Sequence, residues 1–143
     1  MFSFFSYFAN NIYFCTGNYY FIRLIEEFFA AVQRFMEKVE GKRTDEELKE
    51  LYQQYVGPFE NLRNLTPEEA VEHATVTWEE NQRVARLEML AELWYTEASY
   101  KQQPLRDMLL DKALRLFQYV DSHSSEYSLV RLEKMQKIKS QIN

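Results

Sequence analysis

Residues 81–119 read NQRVARLEMLAELWYTEASYKQQPLRDMLLDKALRLFQY, and this stretch decides the fold. Val84, Leu87, Ala91, Trp94 and Ala98 recur at spacings of three, four, three and four, the period of one face of an α-helix. Met89, Leu90 and Leu93 flank that face. Pro104 marks the next helix start, where a missing N–H removes no internal hydrogen bond. Leu105, Met108, Leu109, Ala113, Leu116, Phe117 and Val120 form the apolar side of this second helix. Two such helices across a short connection predict an antiparallel hairpin.

The segments on either side keep the same period. Thr66-Pro67-Glu68-Glu69 is a helix start in which Thr66 caps, Pro67 takes the first helical position and Glu69 closes a capping box. That helix runs to about Val76, and a long one follows from Trp78; Thr75 and Thr77 make a break between them plausible. Further upstream, Phe21, Ile25, Phe28, Val32, Phe35 and Val39 form a stripe on a helix of roughly twenty residues, with Ile22, Phe29 and Met36 beside it. Gly41 is expected to end that helix. Thr44 and Glu47 supply a second capping box, for a helix burying Leu48, Leu51, Tyr52 and Tyr55. Gly57-Pro58 stops it, and Phe59 to Leu65 has room for a single turn. Downstream, Asp121 to Ser125 reads as a polar turn. Ser124 or Ser125 caps a last helix carrying Tyr127, Leu129, Leu132, Met135 and Ile138. No segment alternates with period two between turn residues, so no strand is expected. The prediction is an all-α fold, an antiparallel bundle of five to six helices.

Composition agrees. The chain has 143 residues but only three glycines and three prolines, too few for the turns of a many-stranded protein. A net charge of −5 argues against general nucleic-acid binding, which needs a basic patch. One cysteine, Cys15, excludes an internal disulfide framework and suits a reducing cytosol, so a cytoplasmic location is expected.

Aromatic residues are unevenly placed, with ten of the 23 in the first 22 positions. Residues 1–18, MFSFFSYFANNIYFCTGN, carry no charge. A secretory signal would want basic residues ahead of an unbroken apolar core, and Asn10-Asn11 interrupts this one. A membrane span would want about 20 predominantly apolar residues. Phe, Tyr, Asn, Ile and Ser have codons that can be rich in A and T, so an extension outside the native domain fits best. An export or membrane segment and an aromatic arm packed on the domain remain alternatives. The domain itself is expected over residues 19–143.

Two resemblances rest on particular residues. Leu90-Ala91-Glu92-Leu93 followed by Asp111-Lys112-Ala113-Leu114-Arg115-Leu116-Phe117 resembles a tetratricopeptide-type helix pair. Trp94 departs from it by standing where that repeat has a small residue, and no second copy follows at 34-residue spacing. The opening Tyr19-Tyr20-Phe21-Ile22-Arg23-Leu24-Ile25-Glu26-Glu27-Phe28 and Phe117-Gln118-Tyr119-Val120-Asp121 ahead of a basic last helix resemble a Bacteroidetes family of small, tetratricopeptide-like helical proteins, a domain of unknown function. That resemblance covers residues 19–143. It implies a helical fold and a bacterial source, and it implies no catalytic residue.

Candidate chemistry is thin. His73 lies one turn after Glu69 and beside Glu72, but a di-iron bundle needs two Glu-x-x-His pairs and none is present. His123 sits in the polar turn without a partner. Cys15 has no neighbouring base, and Gly17, Gly41 and Gly57 are too far apart for a phosphate loop. The acidic pairs Glu46-Glu47, Glu68-Glu69 and Glu79-Glu80 are accounted for as helix-start charges. No metal or cofactor is expected. Trp78, Trp94, Tyr95 and Tyr100 have the character of a groove lining, although an aromatic stripe at helical spacing is more often core; Trp94, Tyr95 and Tyr100 are the candidate partner-binding surface, with Tyr95 and Tyr100, off the main stripe, the better surface candidates. The functional expectation is a non-enzymatic protein-interaction module that binds another protein or itself. The alternatives are a small-molecule-binding or cryptic enzymatic pocket inside the bundle, and attachment to a membrane through residues 1–18.

Overall fold

A computed structural model describes residues 16–39 and 41–142. Most of the expected leader, including Cys15, lies outside the described residues. Within them there is no strand and there are seven α-helices. They are α1 (Thr16–Met36), α2 (Asp45–Tyr55), the single turn α3 (Phe59–Leu62), α4 (Pro67–Thr77), α5 (Arg83–Ala98), α6 (Leu105–His123) and α7 (Leu129–Ile142). A 3-10 turn, Glu80–Gln82, leads into α5. No described helix is long and apolar enough to cross a membrane.

The capping residues act as their chemistry requires at two starts. Thr66 accepts from the Glu69 amide at 3.0 Å, and the Glu69 carboxylate accepts from the Thr66 amide at 2.9 Å. Thr44 accepts from the Glu47 amide at 3.3 Å, but the Glu47 carboxylate turns to Lys38 instead of closing the box.

Three boundaries differ from the sequence reading. Helix α1 ends at Met36, five residues before Gly41, because Arg43 donates to the Met36 carbonyl at 2.6 Å and caps it. Gly41, at φ +90°, serves the turn behind it, and Val39, beyond the helix, is left exposed. The long central helix starts at Arg83 rather than Trp78, which is the extended residue closing α4. The last helix is capped by Ser128, whose hydroxyl accepts from the Arg131 amide at 3.1 Å. Ser124 cannot take that role because α6 runs through to His123, and its hydroxyl accepts from the Glu126 amide within the turn.

Helix α5 is the centre of the molecule, packed against α1, α2, α4 and α6. Every residue from Met89 to Trp94 is buried, followed by Thr96, Glu97 and Ala98. A helix surrounded on all sides has no solvent stripe on which to place polar residues. Its carboxylates are therefore either partnered or costly. Helix α6 forms the most extensive pairing with α5, returning after the 99–104 connection, and α7 packs on α6.

Candidate functional site

The carboxylates of α5 organise the two places where chemistry concentrates. On the side of the helix that meets α7, Glu88 and Glu92 lie one turn apart. Arg131 and Lys134 of α7 have nearly the same spacing and meet them, at 3.2 Å for Arg131–Glu88 and 2.6 Å for Lys134–Glu92. Arg131 is 4% exposed and commits its other donors to Asp121, at 2.9 Å, and to the Glu126 carbonyl, at 3.1 Å. Burial pushes the Glu92 carboxyl above its ordinary range, and the Lys134 ammonium only partly opposes this.

These acids form one side of an open groove of about 860 Å³. Its opposite wall is α1, through Phe21, Ile22, Ile25 and Phe29. Val84 and Ala85 of α5 line its floor, and the α6–α7 turn with Tyr127 and Val130 closes one end. Ile22, Phe29, Tyr127 and Val130 are all large apolar side chains left exposed, and they converge on this one feature. Four carboxylates line it (Glu80, Glu88, Glu92 and Glu126) against the single guanidinium of Arg131.

The far end of α5 is closed. Glu97 is fully buried and accepts two hydrogen bonds from the Arg63 guanidinium, at 3.0 and 2.6 Å, with Lys101 at 3.6 Å. Lys101 also pairs with Asp45 at 3.0 Å. The Tyr100 hydroxyl donates to Asp45 at 2.6 Å, and that bond leads the causes holding the Asp45 carboxyl below its usual range. Burial, then the Asp45 bond, pushes the Tyr100 phenol far up. The Tyr52 hydroxyl, the Trp94 indole N–H and the Thr96 hydroxyl are buried beside or along α5 with no hydrogen-bond partner.

The aromatic residues singled out from sequence do not form one surface. Trp94 is 0% exposed and cannot meet a partner; it is a core residue whose ring faces the Lys112 ammonium at 4.3 Å. Tyr95 is half-buried under Lys134, at 5.0 Å, and Tyr100 is held edge-on to Phe35 and bonded to Asp45. None of the three lines the groove. His73 lies edge-on to Trp78, and His123 stacks on Tyr119 with centroids 3.9 Å apart. No three His, Cys, Asp or Glu side chains among the described residues come together as a metal site.

No family model, curated protein or solved structure matches this chain. The site therefore has to be read from its own residues. Sequence reasoning missed Glu88, Glu92, Glu97, Arg63 and Arg131, whose partners lie 34 to 43 residues away. One signal was present: three acids on a helix whose apolar residues, from Leu87 to Ala98, leave no continuous polar face.

Proposed function

We propose that the protein is a non-enzymatic helical binding module whose groove takes an amphipathic helix with a basic edge from another protein. The observation that carries this reading is the groove's composition: exposed apolar residues on α1 and at the α6–α7 end, and more carboxylates than cations among its lining residues. Glu88 and Glu92 are paired with Arg131 and Lys134, so the surplus that a cationic partner would meet is Glu80 and Glu126. Ile22, Ile25 and Phe29 stand three and four residues apart on α1 and offer a helical ridge for an incoming apolar stripe. The binding surface is thus built from α1, the start of α5 and the α6–α7 turn, and only α5 belongs to the hairpin from which the sequence reading started. The α5–α6 pair, tetratricopeptide-like in length, serves as the scaffold.

A designed 18-residue peptide with leucines at helix spacing and lysines along one edge tests the reading by fluorescence anisotropy. Micromolar binding is expected, weakening with added salt and lost in Ile25→Asp and in Glu88→Lys. A matched peptide carrying glutamates in place of lysines should not bind. Equal binding of both peptides, binding untouched by the two substitutions, or a groove occupied by a second copy of the chain in light scattering would each overturn it.

A further inference from the structure

The helices that border the groove run in one direction. Near the start of α1, the Phe21 ring lies 5.2 Å from the Arg86 guanidinium in the first turn of α5. Where the same two helices end, the Phe35 and Tyr100 rings are 5.8 Å apart and the Ser99 hydroxyl donates to the Met36 sulfur at 3.4 Å. Helix α1 is therefore parallel to α5. Helix α7 meets α5 in the same sense, with Arg131 at Glu88 and Lys134 at Glu92.

The free charge of the groove is gathered at one end. Glu80 precedes α5 and Glu126 precedes α7; both are exposed, and neither has an ion-pair partner among the described residues. Glu88 and Glu92, further along, are already paired. The α6–α7 turn closes the groove where Glu126 stands. A helix lying in the groove therefore brings one of its own ends, and not its middle, against Glu80 and Glu126. The cations that meet these two acids have to sit in its terminal turn.

The two ends of a helix are not equivalent for such cations. The last turn carries free carbonyls and the negative end of the helix dipole, so lysine or arginine stabilises a helix there and destabilises it in the first turn, by a factor of roughly two to five per charge. A short helix is marginal in water until it binds, so this difference passes into its affinity. The starts of α5 and α7 also turn positive dipole ends toward this end of the groove, which a carbonyl terminus matches. The reverse orientation would set free amide N–H groups against the same carboxylates, and it is the competing outcome below.

Building on the groove as a helix-binding site, we infer that it selects the direction of its partner. The helix it takes ends inside the groove, runs antiparallel to α1 and α7, and carries its lysines or arginines in the last turn, against Glu80 and Glu126.

Two peptides of identical composition test this, both acetylated and amidated so that terminal charges play no part. They share one leucine spacing and differ only in whether the lysines occupy the last turn or the first. In fluorescence anisotropy the last-turn peptide is expected to bind about tenfold tighter. Glu80→Gln combined with Glu126→Gln is expected to bring that preference below about twofold. A nitroxide at the C-terminal end of the last-turn peptide should broaden the amide NMR signals of Asn81 and Tyr127 more than that of Phe29, and an N-terminal nitroxide should do the reverse. Equal affinities, tighter binding of the first-turn peptide, a preference that survives the double substitution, or stronger broadening at Phe29 from the C-terminal label would each overturn the assigned direction while leaving the groove as a helix site. Binding of neither peptide overturns both.

Discussion

The two ends of helix α5 solve the same problem with opposite results. At the start, Glu88 and Glu92, together with Asp121, face Arg131 and Lys134, leaving one carboxylate in excess, and Glu80 and Glu126 add to it along the groove. At the end, Glu97 and Asp45 face Arg63, Lys101 and Lys112, leaving one cation in excess. The acidic excess sits on an open groove, where solvent and a partner can reach it. The basic excess sits half-buried against Trp94 and a backbone carbonyl, with no carboxylate at ion-pair distance and only partial compensation from Glu97 and Glu69. An unbalanced charge at an opening becomes a recognition feature. The same imbalance in a closed site becomes a shifted ionisation.

The comparison can be broken most severely at the closed end. Arg63→Met leaves Glu97 buried without its two hydrogen bonds, and Lys101 at 3.6 Å is a weak substitute. A loss of ~3–5 kcal/mol is expected in urea unfolding. A loss below about 1 kcal/mol would mean that Glu97 finds solvent and the end is not closed.

At the open end the same operation should cost less. Arg131→Met orphans Glu88 and Asp121, but these carboxylates are 22% and 34% exposed and can rehydrate. About 2 kcal/mol is expected, between the figures for buried and exposed pairs. Equal losses in the two variants would erase the distinction between the ends.

The smallest effect is the most specific. Because the folded value of Lys112 is about 8 and the unfolded value near 10.5, the unfolded chain holds the extra proton between those pH values. Stability contributed by this group therefore rises with pH across that window, and the cost of the charged form is full below it. Lys112→Met should gain about 1 kcal/mol at pH 7, after allowance for partial exposure, and that advantage should vanish by pH 10.5. An advantage independent of pH would assign the gain to packing alone.

The parts of this architecture that depend on nearby residues were readable in the sequence. Thr66 and Thr44 announce helix starts because a capping hydroxyl and its target amide are three residues apart. The α1 stripe placed Phe21, Phe28, Val32 and Phe35 in the core, where they are. Residues beside the stripe, Ile22 and Phe29, were legible as apolar but not as exposed, since exposure depends on what packs there. Trp94 shows the converse: it lies on the main stripe with Leu87, Ala91 and Ala98, and the structure buries it with them, so its place in the core was legible and its candidacy as a surface residue ran against the periodicity. The ion pairs were hidden for a different reason. Arg63 and Glu97 are 34 residues apart, and no local periodicity couples them; only the path of the chain through α3 and α4 brings them together. Ser128 rather than Ser124 as a cap is a choice among chemically equal hydroxyls, decided by how far α6 continues.

Arg83 is the first residue of α5, yet its guanidinium serves the helix before it, donating to the carbonyls of Ala74 at 3.1 Å, Trp78 at 2.9 Å and Thr75 at 3.0 Å. The unsatisfied end of one helix is thereby closed by the opening residue of the next. Fraying of α4 and unwinding of the first turn of α5 become a single cooperative event rather than two independent ones. The break at Trp78 is a corner under lock rather than a hinge, and Val84 and Ala85, just beyond it, inherit that rigidity on the floor of the groove.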